Sequence, residues 1–345
     1  MSLEEFLTEW RSASPTVLVH TSGSTGKPKP MWVEKHRMEA SARITCDFLQ
    51  LRAGDTALLC MSLDYIAGKM MVVRSLVRQL RLVTVEPSGH PLASVDEPLD
   101  FAAMVPLQVY NSLQVPEERR RLMQIRHLII GGGAIDEQMA AVLKTFPHAV
   151  WSTYGMTETL SHIALRRLSG PEASDCYTPF PSVSISQNAD GCLVIDAPAV
   201  HDGPLVTNDI VELMPSSPVQ GRQASSPSFR ILGRKDNVIC SGGVKIQIEE
   251  VERLLRPHLP CPFLITKCRD AKFGEAVVLL TEVSDTSSLR SVCEQHLPRF
   301  WQPRHYLTVA RLPFTATGKP ARGEAQQLAE AGLLWVTTHA PGGAE

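Results

Sequence analysis

Residues His20–Pro30 read HTSGSTGKPKP and hold most of what is needed to grip a phosphate. Gly23 and Gly26 allow the backbone to turn its amides toward an anion. Thr21, Ser22, Ser24 and Thr25 bring hydroxyl donors, and Lys27 brings charge. The stretch is not the loop of the P-loop nucleotidases, which has four residues between its glycines and a Ser or Thr after the lysine. Alone, it would serve equally well as a polar hairpin.

Further groups of chemically able residues follow along the chain. Gly131, Gly132 and Gly133 form a run that lets backbone come close to a flat ligand. Tyr154–Thr159 reads YGMTET, with Gly155, Thr157 and Glu158 inside it. Taken alone, it matches a helix-start pattern. Asp209 ends the run TND, Arg234 and Asp236 lie in GRKDN, Ser241, Gly242 and Gly243 form SGG, and Lys319 closes TATGK. A carboxylate suits two neighbouring hydroxyl donors, yet a solitary Asp in a β-rich region is as readily a turn residue. A solitary lysine near the end of a chain is ordinarily solvated.

The elements that must carry these residues change style along the chain. TVLVH before the loop reads as strand, and MWVEKH after it as the returning strand. RMEASARITCDFLQL has helical spacing, with Met38, Ala42, Cys46 and Leu49 near one face. TALLCM, RLVTVE, FAAMV, HLIIGG and AVWSTY are short apolar strands separated by the helical segments AGKMMVVRSLVRQL, PLQVYNSL and DEQMAAVLKTF. Such alternation predicts parallel sheet covered by helices. After about residue 170 the apolar runs shorten and Pro, Gly, Ser and Asp accumulate, which predicts antiparallel strands and turns. Pro215–Ser228 reads as an exposed loop. Past Arg234–Asn237, helices and strands alternate again in a small α+β unit.

Composition limits the function. A length of 345 residues suggests about two domains. With 43% hydrophobic and 20% charged residues, the chain is ordinary for a globular protein. Its net charge of -2 gives no basic excess for nucleic acid. The eight cysteines form no CxxC pair, which speaks against a zinc or dithiol motif and for reduced thiols in the cytoplasm. MSLEEFLTEW is acidic and amphipathic and does not read as a secretion signal. No apolar run approaches a membrane span. Oligomeric state is not legible.

Five of these motifs, in this order, resemble those of the adenylate-forming enzymes: acyl-CoA synthetases, luciferases and the adenylation domains of peptide synthetases. TSGSTGKPK resembles the phosphate loop, YGMTET the second core motif, TND the ribose motif, GRKDN the hinge and TATGK the C-terminal lysine motif. The resemblance implies ATP, Mg²⁺ and coenzyme A as reactants and a small carboxylic acid as substrate. It also implies an α/β fold in two parts. Residues 1–235 would form a large domain of helix-covered sheet with a β-rich subdomain, and residues 236–345 a small mobile α+β lid.

In this scheme Thr21–Lys27 hold the β- and γ-phosphates, Thr157 donates to the α-phosphate and Glu158 binds Mg²⁺. Tyr154 stacks on adenine, opposite Gly131–Gly133, and Asp209 and Arg234 take the ribose. Lys319 bridges the carboxylate and the α-phosphate, Asp236 is the pivot, and Ser241–Gly243 line the thiol's path.

Several stretches, among them SLDYIAGKMMVVRSL and YGMTETLSHIALR, are similar to the o-succinylbenzoate–CoA ligases of the menaquinone pathway. Family members carry a longer stretch ahead of the phosphate loop, so the resemblance implies a compact form. YIAG stands where many relatives have a His before the glycine, which leaves the acyl pocket open to reassignment. A dicarboxylate substrate needs a partner for its second carboxylate. Lys69, Ser161 and His162 are the candidates. Another acyl or aryl acid ligase, a carrier-loading enzyme, or a silent nucleotide-binding module would share the same motifs. Retention of Lys319 speaks against the last of these.

Overall fold

The computed structural model describes residues 1–20, 30–215, 227–315 and 319–339, with side chains through Leu333. The residues expected to hold phosphate, Thr21–Lys27, therefore lie outside the described residues, as does most of the loop expected at Pro215–Ser228.

The chain opens with α1 (Leu3–Arg11), started by a reciprocal cap between Ser2 and Glu5. Next comes an antiparallel pair, β1 (Thr16–His20) and β2 (Pro30–Glu34), and then α2 (Lys35–Phe48). β1 alternates buried and half-buried residues, as a strand with one covered face must. His20 and Pro30 are register partners and so lie side by side.

The main sheet starts with β3 (Thr56–Leu59), α3 (Ile66–Arg78), β4 (Arg81–Thr84) and β5 (Phe101–Met104). It continues through α4 (Pro106–Gln114), α5 (Pro116–Gln124), β6 (His127–Ile130), α6 (Glu137–Lys144) and β7 (Ala149–Gly155). β8 (His162–Arg167) and β9 (Thr178–Pro179) complete it. The order is β4-β3-β5-β6-β7-β8-β9, parallel through β7 and antiparallel after it. The change of direction thus comes at β8, earlier than the compositional shift near residue 170 suggests.

Every residue of β3 and β5 is buried, because helices cover both faces. Ala57, Leu59, Phe101, Ala103 and Ile129 face a core shared with α1, α2 and α3. Leu58, Ala102, Met104, Leu128 and Ile130 face a second core shared with α4, α5 and α6.

A four-stranded antiparallel sheet follows: β10 (Ser184–Gln187), β11 (Cys192–Asp196), β12 (Leu205–Met214) and β13 (Ser228–Arg234). After a single 3-10 turn, Lys235–Asn237, strand partners change completely. β14 (Val238–Ser241) and β15 (Val244–Gln247) form a hairpin. α7 (Ile248–Leu255), β16 (Phe263–Asp270), β17 (Gly274–Thr281), α8 (Ser287–His296), β18 (His305–Thr308) and α9 (Arg322–His339) follow. The strands form one five-stranded sheet with α7 and α8 on one core and α9 on the other. No described helix is long and apolar enough to cross a membrane.

Candidate active site

Parallel strands deliver their following loops to one edge of a sheet, and ligands of such sheets bind beyond the carboxyl ends. Gly131–Gly133 leave β6 at that edge, and Gly155 ends β7. Gly132 has φ +83°, and a Cβ on Gly131 would lie 2.4 Å from Thr153 Oγ1. The glycine run is thus demanded by its own packing, and it also leaves a bare backbone surface.

The segment after β7 doubles back sharply. Gly155 pairs with His162, and a Cβ on it would sit 2.2 Å from Ser161 O. Leu160, a buried non-glycine, has φ 62°. The Thr159 hydroxyl closes the turn by donating to Ser161 O at 2.7 Å. This turn displays Glu158 to solvent, buries Thr157, and sends Ser161 and His162 back inside.

Asp209 on β12 and Arg234 on β13 are direct cross-strand partners. Arg234 Nη1 donates to Asp209 Oδ1 at 2.9 Å, and the Tyr154 phenol donates to Asp209 Oδ2 at 2.6 Å. Tyr154 is only 7% exposed, edge-on to Phe229 with ring centroids 5.0 Å apart. The ring expected to stack on adenine is therefore mostly occupied inside the protein, with its phenol braced on the Asp209 carboxylate. Burial first, and Asp209 second, raise the phenol's pKa, so it remains a donor.

Lys319 reaches this cluster from the far end of the chain. Its backbone is fixed by Thr315, which donates to Lys319 O at 2.8 Å and accepts from Lys319 N at 3.1 Å. Burial lowers its pKa most, the charge of Arg234 lowers it further, and Asp209 opposes both. The lysine is thus within electrostatic reach of the Asp209–Arg234 pair.

Asp236 sits in the 3-10 turn between the two sheets. It accepts from Arg234 Nη2 at 2.9 Å and from Asn208 Nδ2 at 3.2 Å on both oxygens. Ser241 is buried, and Gly242 and Gly243 form the two-residue turn of the β14–β15 hairpin, with φ +58° and +84°. Positive φ at both positions is what such a tight hairpin requires.

Lys69 does not stand in an acid pocket. It is 2% exposed, and its Nζ donates to Leu18 O at 2.7 Å with Phe6 beneath it at 5.5 Å. Its ammonium covers the open edge of β1, two residues before the strand's end at His20. Burial lowers its pKa, against the pull of Glu9 and Asp64.

The nearby residue that sequence reasoning passed over is Arg74. It is 2% exposed on α3, in the buried run Gly68–Ser75. Nη2 donates to Ser161 Oγ at 2.7 Å, Nη1 reaches only Met71 Sδ at 3.8 Å, and Nε has no partner. No carboxylate faces it among the described residues, and burial pulls its pKa down to about 10. The signal was available: an arginine, like Lys69, set in a mostly apolar helical run.

Glu158 makes no ion pair or hydrogen bond among the described residues, and no cluster of three metal ligands exists among them. One free, exposed carboxylate suits a cation whose remaining ligands are phosphate oxygens and water.

A parallel sheet whose last parallel strand carries a tyrosine bonded to a carboxylate–arginine pair on the neighbouring sheet suits a nucleotide-dependent enzyme. The chain belongs to the AMP-binding enzyme family, whose model matches residues 5–195. Its relatives place it among the AMP-forming acyl-CoA ligases.

It is 26% identical to the 2-succinylbenzoate–CoA ligase of Salmonella typhimurium over 327 residues, covering 89% of this chain and 68% of the relative. An acyl-CoA synthetase (AMP-forming)/AMP-acid ligase II-like protein from Dyadobacter fermentans is 32% identical with a TM-score of 0.61, covering 93% of this chain and 92% of that one. The o-succinylbenzoate coenzyme A synthetase of Bacillus subtilis, solved in complex with ATP and a magnesium ion, shares the fold. Its TM-score is 0.70 at 22% identity, covering 89% of this chain and 69% of that one.

Proposed function

We propose that this chain activates 2-succinylbenzoate as its acyl-adenylate, with release of pyrophosphate, and passes the acyl group to coenzyme A. The observation that carries the substrate class is Arg74. A guanidinium buried with no counter-charge costs several kcal/mol. A substrate carboxylate accepting from the guanidinium N–H groups that Ser161 and Met71 leave uncommitted would repay that cost, and Arg suits pairing with a carboxylate. The name of the Salmonella relative supports the same acid.

Adenylation joins a carboxylate to the α-phosphate, so the site must supply positive charge and oriented donors where negative charge gathers. Lys319 supplies the charge and Thr157 a donor. Asp209, braced by Tyr154 and Arg234, takes the ribose hydroxyls, and the Gly131–Gly133 backbone flanks the base. The segment Thr21–Lys27 receives the β- and γ-phosphates. Glu158 would hold Mg²⁺, which when bound neutralises phosphate charge.

In the second half-reaction residues 236–345 turn as a lid about Asp236. Lys319 then withdraws, and Ser241–Gly243 come to line the thiol's path. The eight free cysteines suit a reducing cytoplasm.

The test is a pyrophosphate-release screen of carboxylic acids with the native chain and Arg74→Lys. 2-Succinylbenzoate should lead, with Arg74→Lys raising its KM by about a hundredfold, the scale of a polar site losing its partner. A fatty acid or a simple aryl acid as best substrate would overturn the substrate reading and leave the acyl-CoA ligase class standing.

A further inference from the structure

A continuous string of hydrogen bonds runs inward from Arg74. Arg74 Nη2 donates to Ser161 Oγ at 2.7 Å, Ser161 Oγ lies 3.2 Å from His162 Nδ1, and His162 Nε2 lies 3.1 Å from Thr45 Oγ1. Thr45 Oγ1 in turn donates to Ser41 O at 3.2 Å. The directions follow from what each group can give. Thr45 has one hydroxyl proton, spent on Ser41, so it accepts from His162 Nε2–H. His162 Nδ1 is then an acceptor and takes the Ser161 hydroxyl proton. Ser161 accepts from Arg74, which has only donors. One tautomer of His162 satisfies every member.

The string is also rigid. His162 is 7% exposed, with Phe180 against its ring at 5.5 Å. Burial first, and the Arg74 charge second, hold the imidazole neutral well below its usual pKa. A charged imidazole would repel Arg74 and lose its acceptor at Nδ1. Thr45 and Ser41 lie on α2 and Arg74 on α3, so the string locks the guanidinium to a neighbouring helix rather than to its own.

We propose that Thr45 and His162 are positioning residues of the acid site: through Ser161 they hold the Arg74 guanidinium with its uncommitted N–H groups turned to the substrate's second carboxylate. This rests on the reading of Arg74 above. It also revises the part given to Ser161 and His162, which orient the cation instead of meeting the acid.

The experiment compares Thr45→Val, Thr45→Ser and Arg74→Lys in pyrophosphate release. The two acids are 2-succinylbenzoate and 4-oxo-4-phenylbutanoate, the same skeleton without the ring carboxylate, with Ki replacing KM where the monoacid is not turned over. Thr45→Val should raise KM for the dicarboxylate about tenfold, the scale of one lost bond supporting a charged group. It should leave kcat, KM for ATP and the monoacid constant unchanged, and Thr45→Ser should restore the native KM. The string is refuted if Thr45→Val weakens both acids alike, if it weakens neither, or if Thr45→Ser is no better. If Arg74→Lys itself fails to separate the two acids, the reading of Arg74 falls. If Arg74→Lys separates them and Thr45→Val does not, only the positioning proposal falls.

Discussion

The phenol of Tyr154 donates a 2.6 Å hydrogen bond to Oδ2 of Asp209, tying the end of the main sheet to the antiparallel sheet beside it. Tyr154→Phe keeps the ring packing against Phe229 and deletes only this bond. Bonds to charged groups are worth about 1.5–3 kcal/mol. KM for ATP should therefore rise roughly tenfold or more with little change in the thermal midpoint. An unchanged KM for ATP in steady-state assays would show that Asp209 needs no bracing.

Lys319 is the second test. Lys319→Ala should slow adenylate formation by on the order of a thousandfold, as losses of charge-stabilising donors do. Thioester formation from supplied adenylate should survive. The working form of Lys319 is charged, and burial and Arg234 lower its pKa. Adenylation should therefore decline on the alkaline side below the ordinary lysine value of 10.5, and Arg234→Gln should move that decline upward. Single-turnover rates against pH measure both; a downward move would contradict the placement of these two cations.

Asp236 ties Arg234 and Asn208 together at the turn between sheets. Proline there fixes φ. Asp236→Pro should retain pyrophosphate release and lose thioester formation. Equal rates for both half-reactions in the variant would place the pivot elsewhere.

Lys69 should behave as a structural residue. Lys69→Ala strips the Leu18 carbonyl of its donor and opens a gap beside Phe6, so a loss of about 2–4 kcal/mol is expected. KM for the acid should change little relative to Arg74→Lys. Urea unfolding beside acid kinetics separates the two; a large KM effect without destabilisation would return Lys69 to the acid site.

Acid should loosen the fold through histidines buried neutral. Burial, then Arg126 and Arg167, lower the His127 pKa to about 4 from 6.5, and His162 lies well below 6.5. Below about pH 6.5 the unfolded chain takes up protons that the folded chain refuses, so stability present above that value is lost as pH falls. For His127 the loss continues to about pH 4. His127→Asn should flatten the dependence of the urea midpoint between pH 6.5 and 4. An unaltered slope would mean that His127 contributes none of it.

The order of motifs and the alternation of strand and helix were legible in the amino-acid sequence, which also marked Asp209, Glu158 and Lys319 as candidates. Each depends on local spacing: period two in β1 and β7, helical period in α2, and glycines where the backbone must turn or approach closely. What tertiary structure alone decided was which charged side chain on α3 is already satisfied. Lys69 and Arg74 lie five residues apart in one buried run and look alike in one dimension. Lys69 meets the carbonyl of Leu18, on a strand 51 residues earlier in the chain, and Arg74 meets a serine 87 residues later and no carboxylate. The direction of a long side chain, and whether a partner waits at its end, is set by elements brought together only by packing. The same holds for Tyr154: its motif marks a candidate ring for a nucleotide, but only the packing of β12 against the end of β7 puts Asp209 at its hydroxyl.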